Sequence, residues 1–262
     1  MSPIEYSIED NAAIVRLNDV ENRNALSVPV MDALADALSA AESDSNVRAL
    51  VLGHHGNTFC AGADLSAVDG AKGTEAEVAQ RSRGRMISGL FRRIIEIPKP
   101  VIAEINGHVR GGGMGLTAAC DIVVASSSST FGLTEVRVGV WPAMISPYLS
   151  HRIARPKLSE WYLRGHKFSA DEAQSGGLVN HVSDDAHASV KEILGDVVKG
   201  APGALALAKM SANAELLEEV ARTQERLIDL SAEAFVSEEG QEGIRAFRAK
   251  RLPHWIEALK EN

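Results

Sequence analysis

Two stretches of small residues carry the chemistry this chain could perform. The first runs Phe59-Cys60-Ala61-Gly62-Ala63-Asp64-Leu65. The second runs Asn106-Gly107-His108-Val109-Arg110-Gly111-Gly112-Gly113-Met114-Gly115-Leu116. Each follows a short apolar run and leads toward a helical pattern. A loop without bulky side chains lets a ligand approach the backbone closely. Amides at a helix N-terminus point outward and carry a partial positive charge. Two such loops converging would hold a developing negative oxygen, and one well-placed donor is worth about 3–4 kcal/mol of barrier. Taken alone, a glycine run is explained as well by tight turns and close helix–sheet packing. Other chemical readings fail on spacing. Leu116 stands where G-x-G-x-x-G needs its last glycine, and no G-K-[ST] follows, so neither a dinucleotide fingerprint nor a P-loop is supported. The absence of G-x-S-x-G counts against a serine nucleophile of the α/β-hydrolase kind.

The elements that must position these loops are written in the periodicity. Ile4, Tyr6 and Ile8, then Ala13, Val15 and Leu17, alternate with other residues around Glu9-Asp10-Asn11, which predicts a β-hairpin. Ser27 is placed to cap a helix with Met31, Leu34, Leu38 and Ala41 on one face. Residues 47–52 form an almost continuous apolar run, as expected of a strand buried on both sides. Residues 54–70 read mostly as loop. A long helix is expected over 75–97, with Val78, Met86, Leu90 and Ile94 inward, ended by Pro98 and Pro100. Strands are expected at 101–105 and 122–125, with a short helix from Gly111–Gly113 through Ala119 and a turn at 126–129. This cycle of strand, glycine loop and helix predicts an α/β fold with parallel strands, consistent with a coiled stack of ββα units. The last third reads as helical. Ser169-Ala170-Asp171-Glu172 matches a capping box. A short strand over 178–182 precedes helical stretches near 185–199, 203–236 with a break inside it, and 239–251.

Bulk properties narrow the function. The chain has 262 residues, of which 45% are hydrophobic and 24% charged, an ordinary balance for a soluble globular protein. A net charge of −8 argues against non-specific nucleic-acid binding. Cys60 and Cys120 form no C-x-x-C pair and suggest neither a zinc knuckle nor a disulfide framework. The acidic start, MSPIEYSIEDN, does not read as a signal peptide, and no apolar run is long enough to span a bilayer. A cytoplasmic protein with reduced thiols is therefore expected, with no membrane partner.

Several motifs occur in fixed order: Asn24-Ala25-Leu26-Ser27, FCAGADL at 59–65, PKPVIAEINGHVRGGGMGL at 98–116, CDIVVAS at 120–126 and FGLTEVRVGVWP at 131–142. Together they resemble the enoyl-CoA hydratase/isomerase (crotonase) family, and EGIRAFRAKRLPHW at 242–255 is similar to that family's C-terminal helix. The resemblance covers nearly the whole chain. It implies a crotonase-like spiral of ββα units over 1–200 and a helical C-terminal trimerisation region over 201–262. It also implies an acyl-CoA thioester as substrate, with CoA part of the substrate and no separate cofactor or metal. Assembly as a homotrimer, or a hexamer made of two trimers, goes with it.

Carried over by position, the resemblance makes the backbone N–H groups of Ala63 and Gly112 the oxyanion hole for the thioester carbonyl. Fixed donors there stabilise charge that develops in the transition state. Ala25, Ala61, Asp64 and Leu65 would line the adenine and pantetheine path, with Arg23 near a CoA phosphate and Phe247 and Lys250 on the C-terminal helix. For Phe247 and Lys250, a core aromatic and a solvated charge are the alternatives. Many hydratases of the family use two glutamates. The second matches Glu135, a general acid/base if burial raises its pKa toward neutrality. The first falls on Gly115, which has no side chain. Some members resembling methylglutaconyl-type hydratases also read G-G-x-G-L here, followed by proline and small residues as in 141–147. Three functions stay open: hydration by Glu135 alone with a backbone group or water filling the gap at Gly115, double-bond isomerisation by a single base, and CoA-ester binding with little catalysis.

A few other residues need weighing. His54 and His55 are adjacent, so on an extended segment they point to opposite sides and are poorly placed to share a metal. His108 and Arg110 flank the glycine loop, where substrate contact and packing are equally open. Cys60 reads as a small buried residue. Trp141 follows the Glu135 segment and is placed either in the core or at the end of an acyl pocket.

Overall fold

The apolar runs of the middle third become strands buried on both faces, and these organise the rest of the chain. The computed structural model describes residues 2–65 and 73–259. Strands β1 (Ile4–Glu9) and β2 (Ala12–Leu17) form the expected antiparallel hairpin. Helix α1 (Val28–Ser43) leads to β3 (Ala49–His54), and β4 (Thr58–Cys60) follows at once. Next come α2 (Gly73–Glu96), β5 (Val101–Ile105), β6 (His108–Val109) and α3 (Gly112–Ala119). After them lie β7 (Ile122–Ser126), β8 (Thr130–Gly132) and a 3-10 turn at Glu135–Val138. Helices α4 (Ser146–Ser150) and α5 (Arg155–Arg164) precede β9 (Lys167–Ser169), α6 (Ala170–Ser175) and β10 (His181–Ser183). The C-terminal layer is α7 (Ala186–Val197), α8 (Pro202–Ala212), α9 (Ala214–Val236), α10 (Glu238–Arg248) and α11 (His254–Glu257).

The ββα rhythm has a spatial meaning. In the pairs β3/β4, β5/β6 and β7/β8 the first strand joins a six-stranded sheet in the order β1-β2-β3-β5-β7-β10, and the second joins a four-stranded sheet in the order β4-β6-β8-β9. From β2 through β10 the large sheet is parallel. Every residue of β3 and β5 is buried, which accounts for their continuous apolar run rather than an alternating one. The core lies on the side where α1, α2 and α3 pack, around Leu50, Leu52, Phe91, Ala103, Leu116 and Tyr148. Helix α7 covers the other face of the sheet over Val51, Ile102 and Val124. No helix among the described residues is long and apolar enough to cross a membrane.

Several local expectations are corrected. Val78 is 55% exposed, so the inward face of α2 begins at Gln80 and Gly84 rather than at Val78. Ser27 occupies the N-cap position of α1 without a side-chain cap bond. Only half of the capping box forms at α6. Ser169 Oγ accepts from the Glu172 N–H, but the Glu172 carboxylate accepts from Trp161 Nε1 at 3.1 Å instead of reaching back.

Candidate active site

One fully buried asparagine sets the first loop. Asn24 is held in a left-handed conformation, φ 53°. Its Nδ2 donates to Thr58 O at 2.7 Å and His55 O at 3.1 Å, and its Oδ1 accepts from Asp19 N at 2.8 Å. These bonds lock the chain before Ala25 onto β4. Leu26 then bridges Ala63, donating its own N–H to Gly62 O at 2.8 Å. In that register the N–H of Ala63 stays out of the bridge.

The two glycine loops meet at Gly62. Its φ is +94°, and a Cβ there would stand 3.0 Å from both Arg110 O and Gly112 N. Only glycine allows this conformation and this approach together. Arg110 N donates to Cys60 O at 3.0 Å, tying the second loop to the first. Gly111, also at positive φ, turns the chain into α3. Gly112 is the first residue of that helix, so its N–H has no intrahelical acceptor. A Cβ on Gly112 would lie 3.6 Å from Ala63 N. Two backbone donors therefore stand beside each other, one at a helix N-terminus where negative charge is favoured.

The donors open into a cavity of about 800 Å³, and Ala63, Gly112 and Glu135 all line it. So do Arg23, Ala25, Ala61, Asp64 and Leu65 at one end and Trp141 and Phe247 elsewhere on the wall. Glu135 opens the 3-10 turn, with Oε1 placed 3.6 Å from where a Cβ on Gly111 would be. One edge of the carboxyl meets the cavity, while Oε2 is buried with no hydrogen-bond partner. Burial pushes its pKa up to about 7, opposed only by its own backbone N–H. A carboxyl in that range both takes and returns a proton near neutrality.

Two expected positions fall outside the cavity. Lys250 is exposed at φ 53° and does not line it. Gly115 does not line it either, and the gap expected there is closed. A Cβ on Gly115 would meet Ile145 Cγ2 at 2.3 Å and Phe91 Cε2 at 2.8 Å. Apolar side chains, not a backbone group or a water site, occupy the place of the first glutamate.

Arg110 resolves into a packing role with a cavity face. Its guanidinium donates to Val109 O, Thr130 O and Thr130 Oγ1 at 2.7–2.8 Å, clamping β6 to β8. His108 turns to Thr130 Oγ1 and does not line the cavity. His54 is buried and accepts the Asn106 N–H at 3.0 Å, while His55 faces Glu5, so the pair diverges as expected. Burial pushes the Cys60 and Cys120 thiols up to about 12, which leaves both inert. Glu160, His166 and Glu172 form a half-buried cluster. Lys157 pairs with Glu160 and Glu172, and Arg164 with Glu160, so both carboxylates already have cationic partners.

Sequence reasoning missed several groups around Glu135. Tyr162 of α5 has a buried hydroxyl without a hydrogen-bond partner. Burial raises its pKa, and the Glu135 carboxylate raises it further. Arg137, His166 and Lys167 line the cavity from the 3-10 turn and the chain entering β9, Arg248 from the end of α10 and Arg251 from the bend just past it. None sits in a glycine motif. Only the helical spacing of Phe247, Arg248 and Arg251 carried a hint.

Known proteins resemble the chain over nearly its whole length. The family model described as Enoyl-CoA hydratase/isomerase matches residues 7–258. A crotonyl-CoA hydratase from Syntrophomonas wolfei is 31% identical over 252 residues, covering 95% of each chain. The crystal structure of an enoyl-CoA hydratase from Mycobacterium avium superposes with a TM-score of 0.91 at 41% identity, covering 97% of this chain and 99% of that one. A carnitinyl-CoA hydratase structure from the same species gives 0.83 at 28% identity, covering 97% and 98%.

Proposed function

The chain belongs to the enoyl-CoA hydratase/isomerase family, and from that premise we propose that it adds water across the double bond of a 2-enoyl-CoA. One observation carries the proposal: a buried carboxyl with a pKa near neutrality shares a cavity with two adjacent backbone donors. The thioester oxygen sits between the N–H groups of Ala63 and Gly112. Glu135 takes a proton from water as the water oxygen bonds to the β-carbon. The double-bond electrons move toward the thioester oxygen, and the enolate is held by the two donors. Glu135 then returns its proton to the α-carbon. No separate cofactor enters, since CoA is part of the substrate. Arg23, Ala25, Ala61, Asp64 and Leu65 are assigned to the CoA end, and Phe247 to the C-terminal wall.

A second reading has its own support. The apolar wall at Gly115 offers no second acid or base, and moving one proton between two carbons needs only Glu135. Loss of conjugated thioester absorbance on mixing with a 2-enoyl-CoA supports hydration. Appearance of that absorbance from a 3-enoyl-CoA, with no water taken up, supports isomerisation and displaces it.

The assembly assigned here is a trimer or a hexamer built through the C-terminal helices, cytoplasmic in location. Exposed Leu207, Met210 and Leu252 on that layer support it. Light scattering giving a monomer at micromolar concentration would overturn it.

A further inference from the structure

The reaction centre contains a mismatch that substrate alone does not explain. Glu135 Oε2 is a buried acceptor with no donor, and the Tyr162 hydroxyl is a buried donor with no acceptor. Buried polar atoms are seldom left unpaired, because each loses its water without compensation. The two belong to one corner of the fold. Helix α5 ends at Gly165, where a Cβ would stand 2.8 Å from Val136 Cγ2 and 3.2 Å from Arg137 Cγ. The C-terminal end of α5 is therefore seated on the turn that Glu135 opens, with Tyr162 one helical turn back. The Glu135 carboxylate also resists ionisation of the Tyr162 phenol, so the phenol stays a neutral donor. Tyr162 does not line the cavity, so its hydroxyl lies on the protein side of this corner.

We propose that Tyr162 is a positioning residue for Glu135, its hydroxyl donating to Oε2 directly in the substrate complex or through one water and keeping Oε1 toward the Gly111–Gly112 turn. The inference rests on the reading of Glu135 as the acid/base. It assigns to a phenol part of the orienting task for which Gly115 offers no side chain. Hydrogen bonds in unliganded active sites are commonly loose and tighten with substrate. A donor on the carboxylate favours its ionised form and restrains the pKa rise caused by burial.

Other charged groups share the surroundings of Glu135. Arg110 approaches from the glycine turn, Arg137 from its own turn, and His166 and Lys167 from the start of β9. Arg248 lines the cavity from the end of α10, Arg251 from the bend past it and Asp64 from the first loop. The raised pKa of Glu135 nevertheless comes from burial, with only its own backbone opposing. A change at Tyr162 is thus readable against a background that none of these charges dominates.

The test is Tyr162→Phe, which keeps the ring and its packing. The acid limb of the kcat/KM profile should move up by about one pH unit and kcat at pH 6 should fall about tenfold, with KM within about twofold. With ¹³C-labelled glutamate, the carboxyl titration absent from Glu135→Gln should move up by the same amount. Replacing Tyr162 with 3-fluorotyrosine, a stronger donor, should move it down. This second substitution keeps the hydroxyl and separates hydrogen bonding from folding. A Glu135 titration that is identical in all three proteins, or that moves down in Tyr162→Phe, overturns the proposal. If the labelled carboxyl shifts as stated but no enoyl-CoA turns over, Tyr162 stands and the hydratase reading falls.

Discussion

Glu104 and Glu135 are both buried carboxyls, and their surroundings differ in kind. Glu104, near the end of β5, is 3% exposed and well matched. Asn106 Nδ2 donates to it at 3.1 Å, His187 Nδ1 lies at 3.3 Å and Arg16 Nη1 at 3.8 Å. Glu135 has its own backbone N–H and, at Oε2, nothing else. Burial is common to both, so burial does not by itself make a carboxyl reactive. What distinguishes Glu135 is burial without a partner, beside a cavity that admits one. The cation-matched glutamate holds the sheet, and the unmatched one is left with a proton to exchange.

The sharpest way to break this contrast is Glu135→Gln. Turnover of an enoyl-CoA should fall roughly a thousandfold, with binding of a saturated acyl-CoA unchanged by calorimetry. An unaltered kcat would make the two glutamates equivalent. The same variant reports on stability. The folded pKa of Glu135, about 7, lies above its unfolded value of 4.5, so the folded state holds an extra proton between them. Stability therefore falls as pH rises through that window, by roughly 3 kcal/mol in total. Glu135→Gln should match wild type in chemical denaturation at pH 4.5 and exceed it by most of that amount at pH 8.

Glu104→Gln should behave in the opposite sense, losing roughly 1–3 kcal/mol in urea at pH 7 while kcat stays put. A fall in kcat with unchanged stability would show that Glu104 belongs to the chemistry. The smallest effect is expected at Trp141, 39% exposed on the cavity wall after the Glu135 turn. Trp141→Ala should change kcat/KM ratios between short and long 2-enoyl-CoAs by about threefold to tenfold, as removal of apolar contact does. It should leave the Glu135 titration in place. An unchanged chain-length profile removes Trp141 from the acyl pocket.

The frame was legible because it rests on local rules. The runs at 47–52 and 101–105 announced doubly buried strands, and Gly111–Gly113 announced the start of α3. Glu135 was legible only through its motif, since its reactivity depends on partners it lacks in space. Tyr162 was not legible at all. Its hydroxyl matters because α5 ends on the Glu135 turn, a contact no periodicity encodes. The same holds for Ile145 and Phe91, whose shared neighbour is a hydrogen atom on Gly115. Val78 failed for the reverse reason: its spacing was right, but the start of α2 leaves it 55% exposed.

That filled wall limits how the site can be redesigned. A glutamate introduced at Gly115 would drive its Cβ into Ile145 at 2.3 Å, so that single substitution would be overpacked before its carboxyl could act. Clearing the wall first, by trimming Ile145 to alanine, would cost roughly 2–5 kcal/mol and bring no second carboxylate in return. Either order passes through a destabilised protein. The site thus tolerates change around Glu135 more readily than the addition of a second carboxylate at position 115.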